Sequence, residues 1–584
     1  MWRERVTRRA MMQRTAALAA LGGPLALLTA CGQSAAPAKP AAPAQGSAPA
    51  PTTAPAVKPA ESKPAEVAKP AEAKPAAAAK PTAPEDLQVL ATGAPKRGGT
   101  LKAVVVNDFV TMWPAITTGP TARMCYDWLV RWAKGADGKW GPAPMLAESW
   151  DITDKAATFK LRRGVKFHDG SDFNAEAVRW NVETWIKHPK SLAKSDLAFI
   201  ATDTPAEVVD DYTVKINLKA PAGPLLATLS NAFRTTGIVS KTAYEKLGDA
   251  GLNLQAVGTG PFMWESFQSG AQLVVKKNPN YWAKGADGQP LPYLDGVTYR
   301  FVPDDSVRFT EVRSGNADIC ELIRGRDVPA VKQDPNLVYF EDPTAGILHR
   351  FFFNGKQGIF KDNLKLRQAI HHAFDREAMA KALGAGLGAV QYYELTPAAV
   401  GFDATLPKYE FDLDKAKKLI AESGVKTPLD VRLTVITREI DQQQAQMMAQ
   451  MLDKIGIKIN IESLERVAWG QKVRQANDFE MATQRTDSRI DPDQMTLPWS
   501  ADGPAAYIRT DAPGVNSCLD EGRSTTDATK RQAIYAKCQT AMHDSAFWGH
   551  MWLLKWNYLM NKRVKTPAPF FQEMWMEETL FLEG

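Results

Sequence analysis

The stretch Leu161-Arg162-Arg163-Gly164-Val165-Lys166-Phe167-His168-Asp169-Gly170 decides how the rest of this chain is read. It begins in the tail of an alternating run, AATFKLR over 156–162, whose apolar and polar residues take turns as a half-buried strand requires. Gly164 and Gly170 then supply turns, and His168 and Asp169 stand where short polar side chains hydrogen-bond local backbone. A single histidine in that setting reads as turn architecture, not as a metal ligand.

Working outward, the same mixture of periods recurs from about Pro95 to the end. Segments 100–106, 212–218 (YTVKINL), 272–276 and 297–302 read as strands. Asn174 is placed to cap a helix running through Trp185. Leu364, Ile370, Phe374 and Met379 recur at near-helical spacing and predict one helix over 363–383. Asp412 and Gly424 bracket a helix over 413–423. A strand at 431–437, a helix at 442–455 and a strand at 458–463 predict a right-handed βαβ unit. A further long helix is expected over 528–545. The fold class is therefore α/β.

At 584 residues the chain is too long for one compact core. A mean hydropathy of −0.29 argues against a multi-span membrane protein. The formal charge of +6 invites a nucleic-acid reading, but its distribution removes it. Residues 1–14 carry +4 and residues 33–84 carry +3, which leaves −1 on the 500-residue body. A body of that charge is not built to neutralise phosphates, so no nucleic-acid partner is expected.

The first 30 residues have a basic start and then an apolar run, 15–30, broken by Gly22, Gly23 and Pro24. A helix needs about 20 apolar residues to cross a bilayer core, so this reads as an export signal. Leu28-Thr29-Ala30-Cys31 resembles a lipobox, which marks Cys31 for lipidation. Thr7-Arg8-Arg9 also resembles a twin-arginine signal, so the export route stays open. Residues 33–84 hold 12 of the 39 prolines and no aromatic, Leu, Ile or Met. Such a segment has little to bury, and 31–94 is expected to be a lipidated, disordered tether. Cys125, Cys320, Cys518 and Cys538 remain in the body, where three pairings are conceivable. There is no CxxC or Cys/His cluster, and no HExxH, GxSxG or Walker A sequence, so neither a metal, a cofactor nor catalysis is expected.

Met145-Leu146-Ala147-Glu148-Ser149-Trp150, together with the opening stretch, resembles the LAESW…LRxGVKFHDG signature of the extracellular solute-binding proteins of family 5. Four further blocks follow in the family's order: Val257-Gly258-Thr259-Gly260-Pro261-Phe262, Asn278-Pro279-Asn280-Tyr281-Trp282, Arg367-Gln368-Ala369-Ile370 with Asp375-Arg376-Glu377, and Asp491-Pro492-Asp493. The resemblance covers about 97–584. It implies a periplasmic binding protein-like fold of type II, cluster C, with two lobes, a hinge and an extra inserted domain. The implied division is domain I over 95–140, 256–345 and 549–584, domain II over 141–255, and domain III over 346–548. Partners implied are a peptide or other small solute, and the permease and ATPase subunits of an ABC importer. The protein is expected to be a monomer outside the cytoplasm, lipid-anchored to the cell membrane.

The resemblance also suggests the ligand site. Arg438 falls where a dipeptide-binding relative places an Arg for the peptide carboxylate. Asp487 falls where such relatives place an Asp for the ammonium, with Asp491 as the fallback because the local spacing needs an inserted residue. Trp113, Tyr392, Tyr393, Trp469 and Trp499 lie in segments expected to border the cleft, where flat aromatic faces suit stacking. Two ligand classes stay open at this level: a peptide read at both termini, or an uncharged solute such as an oligosaccharide held by stacking. A peptide-binding sensor or chaperone without transport is the remaining alternative.

Overall fold

A computed structural model describes residues 94–583, apart from 110, 117–122, 136–139, 232–234, 398, 489, 495–498, 502–505, 510–511 and 567–576. The export signal, Cys31 and nearly all of the tether lie outside the described residues. Within the described residues, two long antiparallel strands, Leu337–Phe353 and Trp548–Asn561, form the spine. Their register runs from Leu337 opposite Asn561 to Phe352 opposite Trp548, with an irregularity between Glu341 and Gly346. Both are rich in aromatic and apolar residues, as strands buried on two faces must be.

On one side of this pair the sheet continues through Ile319–Glu321, Thr100–Val105, Gly296–Phe301, Gln272–Lys277 and Phe262–Gln268. On the other it continues through Met481–Asp487, Leu429–Ile436 and Ile457–Leu464. Two large apolar cores flank the spine. One contains Leu101, Val130, Phe159, Trp185, Val275, Tyr558 and Met560. The other contains Phe351, Phe352, Phe353, Ile370, Val435, Met448, Trp548 and Trp552. The two long strands thus contribute to both cores.

The opening stretch leaves the end of a separate four-stranded antiparallel sheet, whose order is Ala147–Ile152, Ala156–Leu161, Thr213–Asn217, Ala206–Asp210. Helix Ala175–Lys187 begins beside it, with Asn174 Oδ1 accepting from the Ala177 amide at 3.0 Å. The blocks that looked separate in sequence meet here. His168 Nε2 donates to Gly260 O at 2.9 Å, while the Gly258 amide donates to His168 Nδ1 at 3.4 Å. Gly258 and Gly260 must be glycine, because a Cβ would stand 2.2 Å from Cys125 O and 2.5 Å from Cys125 C. The buried Asp127 carboxylate accepts from Thr259 and Tyr281 hydroxyls at 2.9 and 3.1 Å and from Trp282 Nε1 at 2.9 Å. Arg162 lies 4.2 Å over the Trp282 ring. His168 is therefore architectural, but it fastens a distant turn and not only its own.

The βαβ pattern is present: Leu429–Ile436 pairs parallel to Ile457–Leu464 across helix Glu439–Asp453. The helix expected over 363–383 is instead two, Leu364–Ala373 and Arg376–Leu383. Phe374 is extended, and the Asp375 carboxylate accepts from the Ala378 amide, so a new cap competes with continuation. The buried Arg376 adds to the break by donating to His371 O, Tyr409 O and His550 O at 3.1, 2.8 and 2.7 Å. Only one pair of the four is joined: Cys518 with Cys538, and thereby helices Val515–Ser524 and Ala528–Ser545, so none of the three full pairings is formed. Cys125 and Cys320 are buried thiols. Among the described residues no helix is long and apolar enough to cross a membrane.

Burial pushes the His168 pKa down to about 4, although Gly260 and Asp169 oppose the shift. Burial likewise holds His349 and His371 well below the ordinary histidine value. The unfolded chain takes up these protons near pH 6.5, and the folded one does not until much lower pH. The histidine contribution to stability is therefore expected to be constant above pH 6.5 and to fall as pH drops from 6.5 toward 4. His168→Ala is expected to cost about 1–3 kcal/mol at pH 7.5 and to flatten part of that slope, as read by urea unfolding at a series of pH values.

Candidate functional site

Three parallel strands, Ile457–Leu464, Leu429–Ile436 and Met481–Asp487, end on the same edge of the sheet. In open α/β sheets the crevice beyond the carboxyl ends of the strands is where ligands sit. Charged residues gather there. Arg438 follows the central strand and starts helix Glu439–Asp453. Arg466 lies just past the second strand, and Arg485 and Asp487 close the third.

Arg438 is about one-third exposed, and its Nε lies 2.5 Å from Asp441 Oδ2, a carboxylate almost wholly buried. Burial raises the Asp441 pKa, and Arg438 opposes that shift. Asp487 is half-buried and stands opposite Ile347 on the first long strand. Arg485 stands opposite His349, whose ring is stacked 3.8 Å from that of Trp552. The field at Arg485 includes Arg438, Asp441, Asp487 and Arg466, so these groups form one cluster. The edge therefore brings together the two residues expected to read a peptide's termini. It adds Arg485, which the sequence reading passed over. Its only signal was a charged residue near the end of a strand preceding the Asp491-Pro492-Asp493 block.

The other expected residues lie elsewhere. Asp491 is buried, and both its oxygens accept from Arg531 at 2.6 Å, which leaves no edge for a solute. Asp493 pairs in the same way with Arg523, at 2.8 and 3.1 Å. Trp113, Trp469 and Trp499 are 1, 2 and 1% exposed. Trp113 packs on His188 and Tyr244, with ring centroids 4.8 and 5.5 Å apart. Trp469 Nε1 points at Thr434 O at 3.4 Å. Tyr393 is buried with its hydroxyl donating to Leu406 O. Tyr392 keeps part of its face open beneath Arg376 and Lys408, 5.3 and 5.4 Å from the ring centre. Large aromatic rings gain more from burial than smaller side chains do, and here the loops fold them into core.

Trp499 belongs to a buried network on the opposite face of the third strand. Its Nε1 donates to Glu394 Oε1 at 3.0 Å, and Arg350 lies 4.4 Å over its ring. Arg350 Nη1 and His550 Nε2 each lie 2.5 Å from Glu394. Burial acts to raise the Glu394 pKa, but Arg350 and His550 outweigh it and bring it to about 2. Glu394, Arg350 and His550 come from three distant segments, so no local spacing announces them.

Segments that carry the two apolar cores also touch each other. The Gly223 amide donates to Arg523 O at 2.8 Å. A Cβ on Gly223 would stand 2.2 Å from Thr525 O, so only glycine fits that approach. Trp132, Ala227 and Ile490 form a small apolar cluster beside it. The Asp491–Arg531 and Asp493–Arg523 pairs thus hold the surface on which the loop at 220–224 rests.

Residues 141–507 match the family described as bacterial extracellular solute-binding proteins, family 5 middle. The chain is 28% identical over 436 residues to the dipeptide-binding protein of Escherichia coli K12, covering 69% of this chain and 79% of that one. It is 27% identical to heme-binding protein A of Haemophilus influenzae, over 73% of this chain and 81% of that one. Among solved structures, the periplasmic binding protein DppA of Helicobacter pylori, in complex with the peptide STSA, superposes with a TM-score of 0.69 at 24% identity. That match covers 84% of this chain and 99% of that one, and it shows the cluster C fold.

Asp491→Ala leaves the Arg531 guanidinium buried without its partner, and is expected to cost about 3–5 kcal/mol in urea unfolding. The double variant Asp491→Ala/Arg531→Met is expected to recover part of that loss. A cost for Asp491→Ala below about 1 kcal/mol would contradict the assignment of this pair to structure.

Proposed function

The chain belongs to the bacterial extracellular solute-binding proteins, family 5, and from that premise we propose that it captures a peptide-like solute between its two lobes and delivers it to an ABC importer. It is a binding protein and not an enzyme, so its work lies in capture, closure and release. ATP hydrolysis belongs to the partner subunits.

One observation carries the peptide reading. Basic and acidic groups, Arg438 with Arg485 and Asp487, lie side by side at the carboxyl ends of three parallel strands. A peptide presents a carboxylate and an ammonium, and a guanidinium fork and a carboxylate are their matching partners. Arg438 takes the carboxylate and Asp487 the ammonium in this reading. Trp113, Trp469 and Trp499 are buried, which leaves Tyr392 as the expected stacking residue with part of its face open, and this favours a peptide over an oligosaccharide. Lobe closure then places a low-dielectric wall around these charges and strengthens each contact. Lipidation at Cys31 would keep the protein at the membrane that holds the permease, with 31–94 as its tether.

Calorimetric titration with di- and tripeptides and a set of oligosaccharides tests the ligand class. A peptide is expected to bind, and Arg438→Ala and Asp487→Ala are each expected to weaken it at least about tenfold, or about 1.4 kcal/mol. Wild-type affinity in both variants would refute the site. Mass spectrometry of the mature N-terminus is expected to find a lipid-modified Cys31; an unmodified N-terminal peptide would refute the anchor.

A further inference from the structure

Arg485 differs from every other charge on the crevice edge. Its neighbours already have partners. Asp441 is paired to Arg438 at 2.5 Å. Glu465 accepts from the Thr437 hydroxyl at 2.7 Å. Glu439 faces Arg324, which comes from the other body and also pairs with Asp305. Arg466 is exposed, so water serves it. Arg485 is only partly exposed, and among the described residues it makes no hydrogen bond or ion pair. Behind it lies the fully buried His349–Trp552 stack, which offers no negative charge. His349 is held neutral by burial and then by Arg485 and Arg438 themselves.

Water serves the partly exposed Arg485 guanidinium in the open edge, and lobe closure would withdraw that water and leave the charge unfavourably placed without a partner. Burial, followed by repulsion from Arg438, lowers the Arg485 pKa, with Asp441 and Asp487 opposing. Such a group is stabilised once a planar oxyanion meets its fork of donors. The solute enters this edge when the lobes close.

We propose that Arg485 is an anion anchor of the solute site, and that the preferred solute is acidic, carrying a carboxylate beyond the one that a zwitterionic peptide presents to Arg438. The inference rests on the solute-capture reading above and adds the charge class of the cargo. Arg438, already bonded to Asp441, reads the first carboxylate at the protein surface. Arg485, deeper and unpaired, reads the second.

The test uses the full mature protein and matched probes. Calorimetry compares Ala-Glu with Ala-Gln, which differ by one charge at nearly equal shape. Wild type is expected to prefer Ala-Glu at least about tenfold at low salt, with the preference shrinking as salt rises. Arg485→Gln is expected to bring the ratio close to one, and Arg485→Lys to keep part of it. A wild-type ratio near one, or an unchanged ratio in Arg485→Gln, overturns the proposal. If neither dipeptide binds, the peptide reading fails, and a second arm decides the anchor alone. Glutarate, but not the uncharged glutaramide, is then expected to raise the melting temperature of wild type and not of Arg485→Gln. An equal response of wild type to both compounds overturns it. Far-ultraviolet circular dichroism of each variant checks folding, and the wild-type comparison stands even if Arg485→Gln fails to fold.

Discussion

The antiparallel pairing of Leu337–Phe353 with Trp548–Asn561 is the constraint on which the rest of the molecule depends. Each strand supplies side chains to both apolar cores, so neither core closes without the other strand in register. The irregularity between Glu341 and Gly346 lies between Phe340, packed on the first core, and Ile347, a member of it. Lys555 Nζ reaches Glu341 Oε2 at 2.6 Å at that point, which ties the two strands by charge where their ladder is interrupted. A sheet bends most readily where the ladder is broken, and two strands bend more readily than a full sheet.

From that pairing follows a division of labour among charges. In the interior, buried ions are met at close range, by counter-ions for Asp491 with Arg531, Asp493 with Arg523 and Glu394 with Arg350 and His550, and by backbone carbonyls for Arg376. Such pairs add little to net stability, but each is costly to break, and so each fixes where its elements sit. At the crevice edge the matching is incomplete. Arg438 is partly exposed, and among the described residues Arg485 makes no hydrogen bond or ion pair. Matched charge inside and unmatched charge at the crevice is the arrangement expected of a protein that completes its electrostatics with a solute.

Much of the frame was legible in the sequence because short blocks carry local physics. Asn174 and Asp412 cap helices as side-chain oxygens before apolar runs do. The alternating runs at 156–162 and 212–218 are paired strands. What escaped was non-local. The long strands lack alternation because both their faces are buried. Asp375 divides a helix that the apolar spacing alone would carry through. Trp113, Trp469 and Trp499 sit in irregular segments, yet the cores reclaim them, since sequence does not reveal which loops turn inward. Arg485 escaped because its meaning lies in an absent partner. Only the placement of Asp441, Glu439 and Glu465 reveals that.

The central claim is that two bodies joined by two strands close over a solute. Its most direct test is the Gly223 amide, which bridges the bodies through Arg523 O at 2.8 Å. Hydrogen exchange of the segment 220–228, read by mass spectrometry, reports whether that bond is made. The account predicts fast exchange in the solute-free protein and strong protection once a bound peptide saturates the site, with the core strand 348–353 protected in both. Equal exchange at 220–228 with and without solute would contradict closure as the mode of capture.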